Sequence, residues 1–247
     1  MPAVKKKRLD LIIVERKLVQ SRQRAQAMIM AGKVLVNSRP IDKPGTLVQA
    51  DAEIVVKEPD IPYVSRGGLK LEKAIRTLEL NIEGLDCLDI GASTGGFTDC
   101  LLQHGARSVF ALDVGYGQFA WKLRQDPRVV VIERTNIRHV SSETFPCPFD
   151  LITIDVSFIS LKIVVPAALK FMKKNGMILA LIKPQFEVGK EKVGKGGVVR
   201  EADLHEKVIT DLSDFFTQTG LLCGPVIPSP ILGPKGNREF MIFLKYA

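Results

Sequence analysis

The sequence predicts an α/β body, built on about seven mostly parallel strands with helices on both faces, behind a small α+β module of basic character. Three observations lead there. From residue 87 onward, short and nearly continuous apolar runs alternate with helical patterns, as strands buried on both faces require. A glycine-rich turn, Gly91-Ala92-Ser93-Thr94-Gly95-Gly96, joins the first of these runs to a helix. The formal excess of +8 charges lies wholly in residues 1–43, where eleven Lys or Arg face Asp10, Glu15 and Asp42, while the rest of the 247 residues balance.

Charge concentrated in this way fits a phosphate-rich partner, although anionic membranes attract the same composition. No apolar run approaches the ~18 residues of a spanning helix. The apolar run at residues 11–14, behind Lys5-Lys6-Lys7-Arg8, is stopped by Glu15, Arg16 and Lys17, which is not the pattern of a signal peptide. Cys87, Cys100, Cys147 and Cys223 show neither C-x-x-C pairing nor a His at ligand spacing. No metal site or disulfide framework is expected, and a reducing cytoplasm fits.

In the front module, residues 8–17 read as a helix with Leu9, Ile12 and Ile13 on one face. Ser21 caps a second helix whose apolar face is Ala25, Met28 and Ile29, and Gly32 supplies a left-handed stop. A strand at residues 34–36, a polar turn at 37–40 and a closing strand at 52–56 follow. The segment from Arg8-Leu9-Asp10 through Ser21-Arg22-Gln23-Arg24-Ala25 to Gly32-Lys33-Val34 resembles the S4-type RNA-binding domain over nearly all of residues 6–57. The resemblance implies binding of structured RNA, with Arg8, Arg22, Arg24 and Lys33 in contact with it, and Arg66, at the end of the linker, is a further candidate RNA contact; phosphate contacts of this kind position a protein without reading sequence. The same module also fronts pseudouridine synthases, so it does not name the chemistry. Residues 1–60 are assigned to it, a proline-bearing linker runs to about residue 66, and residues 61–247 form the body.

Strands of the body are expected at residues 87–91, 108–113, 129–133, 150–156, 177–183, 222–227 and 239–245. In open parallel sheets ligands gather at the carboxyl ends of the strands. The glycine run is G-x-x-x-G-G rather than G-x-G-x-x-G, so it lacks the second close glycine that admits a pyrophosphate. Asp113 ends the second strand, where a carboxylate takes the two hydroxyls of an adenosine ribose. Together these point to S-adenosylmethionine, with Asp89, Gly91, Ser93, Thr94, Gly95, Gly96, Phe97 and Asp113 forming its site. Asn136, after the third strand, reads either as an adenine contact or as a turn cap. Asp155 ends the fourth strand and needs a cationic partner there, for which Lys183, before the strand-stopping Pro184, is the candidate. Lys70 and Glu239 read in isolation as surface charges.

Six stretches carry a wider resemblance: the basic module, Ser65-Arg66-Gly67-Gly68-Leu69-Lys70-Leu71, the glycine turn, Asp155-Val156-Ser157-Phe158, Ile182-Lys183-Pro184-Gln185-Phe186-Glu187, and Gly236-Asn237-Arg238-Glu239-Phe240. Together they resemble the TlyA family of haemolysin-A-like ribosomal RNA methyltransferases, across essentially the whole chain. The body resembles FtsJ-type ribose 2′-O-methyltransferases of Rossmann-like fold, whose Lys-Asp-Lys-Glu tetrad falls on Lys70, Asp155, Lys183 and Glu239. The resemblance implies 2′-O-methylation of cytidine in ribosomal RNA of one or both subunits, with S-adenosylmethionine as donor and without a metal. In that chemistry a base must take the proton of a poorly nucleophilic hydroxyl. Lys183 either does so, helped by Lys70 and desolvation and opposed by Asp155 and Glu239, or stays charged and stabilises a developing alkoxide.

Rival readings have sequence tests. Pro146-Cys147 precedes the fourth strand, the wrong side of the sheet for a carbon-five methyltransferase nucleophile. The run from Gly189 to Gly196 nearly matches a P-loop, yet Gly196 stands where Ser or Thr must ligate magnesium, and residues 186–199 read instead as a mobile basic lid. A pore-forming protein and a non-catalytic ribosome-assembly factor are the alternatives from other classes. Liposome leakage would favour the first, and absence of methyl transfer the second.

Overall fold

The chain divides into two units, Met1–Pro62 and Tyr63–Ala247. The computed structural model describes residues 6–19, 21–57, 61–146, 148–233 and 235–246; Lys5, linker residues 58–60 and Cys147, singled out above, lie outside them.

In the first unit, β1 (Lys6–Arg8) leads directly into α1 (Leu9–Glu15), and α2 (Arg22–Met30) follows. The Ser21 hydroxyl accepts from the Arg24 amide and caps α2, and Gly32 (φ +68°) turns the chain out of it. The helix expected at 8–17 is shorter, because Arg8 is extended and Lys17 takes a positive φ. β2 (Val34–Val36) pairs antiparallel with β3 (Arg39–Pro40) and β5 (Ile54–Val56), while β4 (Leu47–Gln49) pairs with β1. Asn37 and Ser38 both have positive φ, which makes the β2–β3 link a two-residue hairpin of the kind that matches strand twist. Leu9, Ile12, Ile13, Ala25, Met28, Ile29, Val34 and Val36 close one small core.

The second unit is a seven-stranded sheet covered on both faces. Its elements in order are α3 (Gly67–Thr77), β6 (Asp86–Ile90), α4 (Gly96–Gln103), β7 (Ser108–Leu112), α5 (Trp121–Arg124), β8 (Val129–Ile132), β9 (Phe149–Ile154), α6 (Leu161–Leu169), β10 (Met172–Ile182), α7 (Pro184–Glu187), α8 (Ala202–Gln218), β11 (Leu221–Pro228) and β12 (Phe240–Tyr246). Strand order is β11-β12-β10-β9-β6-β7-β8, parallel except for β12. Alternation along the strands feeds two cores. Ile178, Ala180 and Ile182 of β10 pack with Phe149, Val165, Leu212 and Phe216, whereas Leu179 and Leu181 pack with Leu71, Phe97 and Leu101. Truncating a ring such as Phe149, with no exposed surface, costs about 3–5 kcal/mol in such settings. No helix among the described residues is long and apolar enough to cross a membrane.

The topology gathers three charged residues at one end of the sheet. β9 and β10 run parallel, with Ile154 opposite Ala180, so Asp155 and Lys183 emerge at the same end of the sheet. β12 runs the other way, with Phe240 opposite Ile182, and Glu239 just before it arrives at that end too.

Candidate active site

Four charged side chains meet there in alternation. Lys183 Nζ lies 2.5 Å from Asp155 Oδ1, Asp155 Oδ2 lies 3.9 Å from Lys70 Nζ, and Lys70 Nζ lies 2.6 Å from Glu239 Oε2. Lys70 arrives from the first turn of α3. Lys70, Lys183 and Glu239 are buried and Asp155 is half-buried, so two cations and two anions balance where an unpaired charge would be expensive. Lys183 Nζ also donates to Ser157 Oγ at 3.0 Å, and with Asp155 this engages two of the three ammonium donors.

The glycine turn sits beside this array. Gly91 has φ +84°, and a Cβ there would collide with the Asp155 carbonyl, while Asp155 N donates to Ile90 O at 2.9 Å. Glycine is thus required at position 91 so that β6 and β9 can close at their ends, which locks the turn to the end of β9. At Gly95 and Gly96 an added Cβ would strike Leu123 and Ser65 respectively. Gly95 and Gly96 thus make room for neighbouring side chains of the body.

What the turn presents outward is Ser93 and Thr94, with Gly91 half-exposed. The Asp113 carboxylate braces it, accepting from Ser93 N and Gly115 N at 2.7 Å each. A carboxylate has about four acceptor positions, so two remain for ribose hydroxyls. A turn with positive φ at Gly91 and Ser93, next to a half-exposed acid at the adjacent strand end and exposed Val114 beyond it, fits an adenosine-bearing methyl donor.

Three expected cofactor residues already have partners within the protein. Asp89 is fully buried and accepts from Thr98 Oγ1 (2.7 Å) and Thr153 Oγ1 (3.0 Å), so it ties β6 to α4 and β9 from beneath the turn. Burial without a cation pushes its carboxyl up to about 7. The Phe97 ring is core, packed with Leu71 and Leu101. Asn136 accepts from Arg138 N at 3.1 Å and caps a short turn, and its side chain stays half-exposed. Cys87 and Cys100 are buried; burial pushes both thiols up, that of Cys100 to about 12, so neither is a thiolate at neutral pH.

Of the expected RNA contacts, Arg8 and Arg22 lie together in the first unit, both donating to Asp10. Arg24 and Lys33 are half-buried in the same unit. Arg66, exposed in the second unit, donates to Leu232 O at 3.2 Å. The stretch read as a lid is anchored at its far end: Asn237 accepts from Val199 N and donates to Gly197 O at 2.9 Å each, and His205 contacts Val199 O.

Several residues here gave no isolated signal in the sequence. Phe158 is 90% exposed with φ +65°, its ring 4.9 Å from that of Phe186 in α7. An exposed aromatic on a strained backbone is uncommon away from functional surfaces. Glu187 accepts from Ser160 Oγ and Leu161 N, fastening α7 to the loop that carries Ser157 and Phe158. Position alone could have flagged Phe158: a large apolar residue three places past a strand-terminal acid has no core to enter.

Both units of the chain are similar to known proteins. The FtsJ-like methyltransferase family model matches residues 63–246, and the S4 domain model matches residues 7–54. A Mycobacterium tuberculosis protein named 16S/23S rRNA (cytidine-2′-O)-methyltransferase TlyA is 45% identical over 239 residues, covering 96% of this chain and 89% of its own. Hemolysin A of Brachyspira hyodysenteriae is 42% identical over 95% of this chain and 98% of its own. A solved structure described as a hemolysin of Streptococcus thermophilus superposes with a TM-score of 0.78 at 43% identity, covering 99% of this chain and 90% of that one.

Proposed function

Because the chain belongs to the FtsJ-like methyltransferase family and carries an S4 domain in front, we propose that it methylates the ribose 2′-hydroxyl of cytidine in ribosomal RNA. The methyl donor is S-adenosylmethionine, which supplies an electrophilic methyl group on a sulfonium and is left as an uncharged thioether. The observation that carries the proposal is the Lys183–Asp155–Lys70–Glu239 array at the strand ends, next to a turn and an acid shaped for adenosine.

In this reading residues 1–60 hold RNA and residues 61–247 perform transfer. Gly91, Ser93, Thr94 and Asp113 line the donor site. Lys183 takes the 2′-hydroxyl proton as the oxygen–methyl bond forms. Asp155 holds the Lys183 Nζ at 2.5 Å, and the proton gained there passes to solvent once the methylated ribose leaves. Lys70, held by Glu239, keeps a positive charge near Asp155 and disfavours a second ammonium. Ser157 fixes the Lys183 side chain, and a base beside the reacting ribose can stack on Phe158, which gives the exposed ring a use. The partner is ribosomal RNA, free or in assembled subunits, met in the cytoplasm.

The test is transfer of tritium from labelled S-adenosylmethionine to ribosomal RNA and to isolated subunits, followed by mass-spectrometric mapping. Label on a cytidine ribose oxygen is expected; label on a base, or none on any RNA substrate, overturns the proposal.

A further inference from the structure

We propose that Asp10 is a positioning residue for RNA binding, holding the Arg8 and Arg22 guanidinium groups as one prearranged clamp for the phosphodiester backbone. The inference rests on the RNA-binding reading of the first unit and goes beyond it by assigning a task to an acid within a basic module.

The geometry is that of a saturated hub. Asp10 has no exposed surface, and its two oxygens accept from Arg8 Nε and Nη2 (3.0 Å each), Arg22 Nε (2.9 Å) and Gln26 Nε2 (3.0 Å). These donors come from the end of β1 and the first two turns of α2, while Asp10 itself sits in the first turn of α1. A single carboxylate thus sets the relative placement of three elements. Two guanidinium groups this close would repel one another without the anion between them.

The arginines are not used up by the hub. Their side chains remain 43% and 52% exposed. Arg22 gives Asp10 only its Nε, which leaves both terminal nitrogens, with four N–H groups, for another acceptor. Arg8 turns one edge inward and keeps Nη1 beside Gly45, where no side chain intervenes. Planar forks fixed in place lose less freedom on meeting a phosphate than unrestrained side chains do. The unit therefore contributes net positive charge in a set arrangement instead of a loose basic face.

Simple electrostatics and this proposal disagree in sign, which makes the test sharp. Asp10→Asn raises net charge by one, and counterion release alone predicts tighter RNA binding. Prearrangement predicts the opposite. With full-length protein and a ribosomal RNA fragment, Asp10→Asn is expected to bind about 10-fold more weakly, with the loss in KM for RNA and not in kcat, and with a shallower salt dependence. Arg22→Lys keeps the charge but cannot hold the carboxylate and present a fork together, so it too is expected to weaken binding several-fold. Cooperative thermal melting establishes that the variants fold.

Folded Asp10→Asn that binds as tightly as the parent, or more tightly, overturns the proposal. If Asp10→Asn does not fold, Arg22→Lys decides: unchanged affinity overturns, weakened affinity supports. Arg22→Ala separates this from the broader reading. Loss of affinity in Arg22→Ala without loss in the other two variants removes the positioning role alone, whereas no loss in any of the three removes RNA binding by this face and the proposal with it.

Discussion

The two units use buried charge in opposite ways. In the first, one fully covered carboxylate, Asp10, gathers two arginines whose outer edges stay in solvent. In the second, two lysines are drawn inside and alternate with Asp155 and Glu239, leaving the cations mostly covered. The first pattern suits a polyanion that approaches from outside and is held by many weak contacts. The second suits a reaction in which one proton must move in a site largely screened from water. Binding and chemistry should therefore separate cleanly by mutation.

Lys183→Ala gives the largest expected effect: methyl transfer falls by ~10²–10⁴, the range of a lost general base, with RNA and donor affinity retained. Single-turnover transfer measured alongside equilibrium binding checks this. Loss of RNA affinity in that variant would break the separation between the units. Phe158→Ala comes next. Base stacking on an aromatic is worth ~1–3 kcal/mol, so kcat/KM for RNA should fall about 10- to 100-fold. Donor affinity, read by calorimetry, should not change.

How much of this contrast is legible in the sequence depends on the range of the contacts. The sheet is plain to read because strands buried on both faces are apolar runs, and each of the seven observed strands overlaps an expected one. β10 starts earlier than expected, at Met172, since its first residues, Lys173, Lys174 and Asn175, are polar and meet β9 through a register irregularity. β1, β3 and β4 are two or three residues long and have no period to detect. Asp155 and Lys183 follow from strand ends, but Lys70 and Glu239 look like surface charges until the antiparallel β12 and the start of α3 deliver them. Asp10 looks like one solvated acid of an amphipathic helix, because its partners Arg22 and Gln26 lie 12 and 16 residues away. Asp89 and Phe97 flank the glycine turn in the chain, yet both side chains are buried. Motif membership says where a residue is in the chain, not which side of the strand it faces.

A smaller effect on the reaction is expected on the binding side. Replacing Arg22 and Arg24 together by Ala should raise KM for RNA about 10-fold. It should also reduce the slope of log K against log salt by about 0.7–0.9 for each phosphate that is no longer neutralised. kcat at saturating RNA should hold. A kcat that falls with the arginines would show that the first unit does more than hold RNA.

The least effect on turnover, and the clearest on stability, belongs to Asp89, the body's counterpart to Asp10. Both acids lack exposed surface, but Asp10 is ringed by guanidinium groups that hold it well below the usual carboxylate range, whereas Asp89 is met by the Thr98 and Thr153 hydroxyls and the Thr98 amide, and burial pushes it up to about 7. The pH dependences therefore have opposite signs. Asp10 contributes stability above the unfolded carboxylate's range near 3.8 and loses it as pH falls through and below that range. For Asp89 the folded state keeps its proton up to about pH 7 while the unfolded chain releases it near 3.8, so its contribution is full below 3.8 and declines as pH rises to 7. The difference across that window is on the order of 4 kcal/mol. Asp89→Asn mimics the protonated acid, so its denaturation midpoint should vary less between pH 4 and 7 than the parent's and should exceed it at pH 8. Parallel pH slopes for the two proteins in urea titrations would place an ionised carboxylate at position 89, and with it a cation that the threonine pair does not supply.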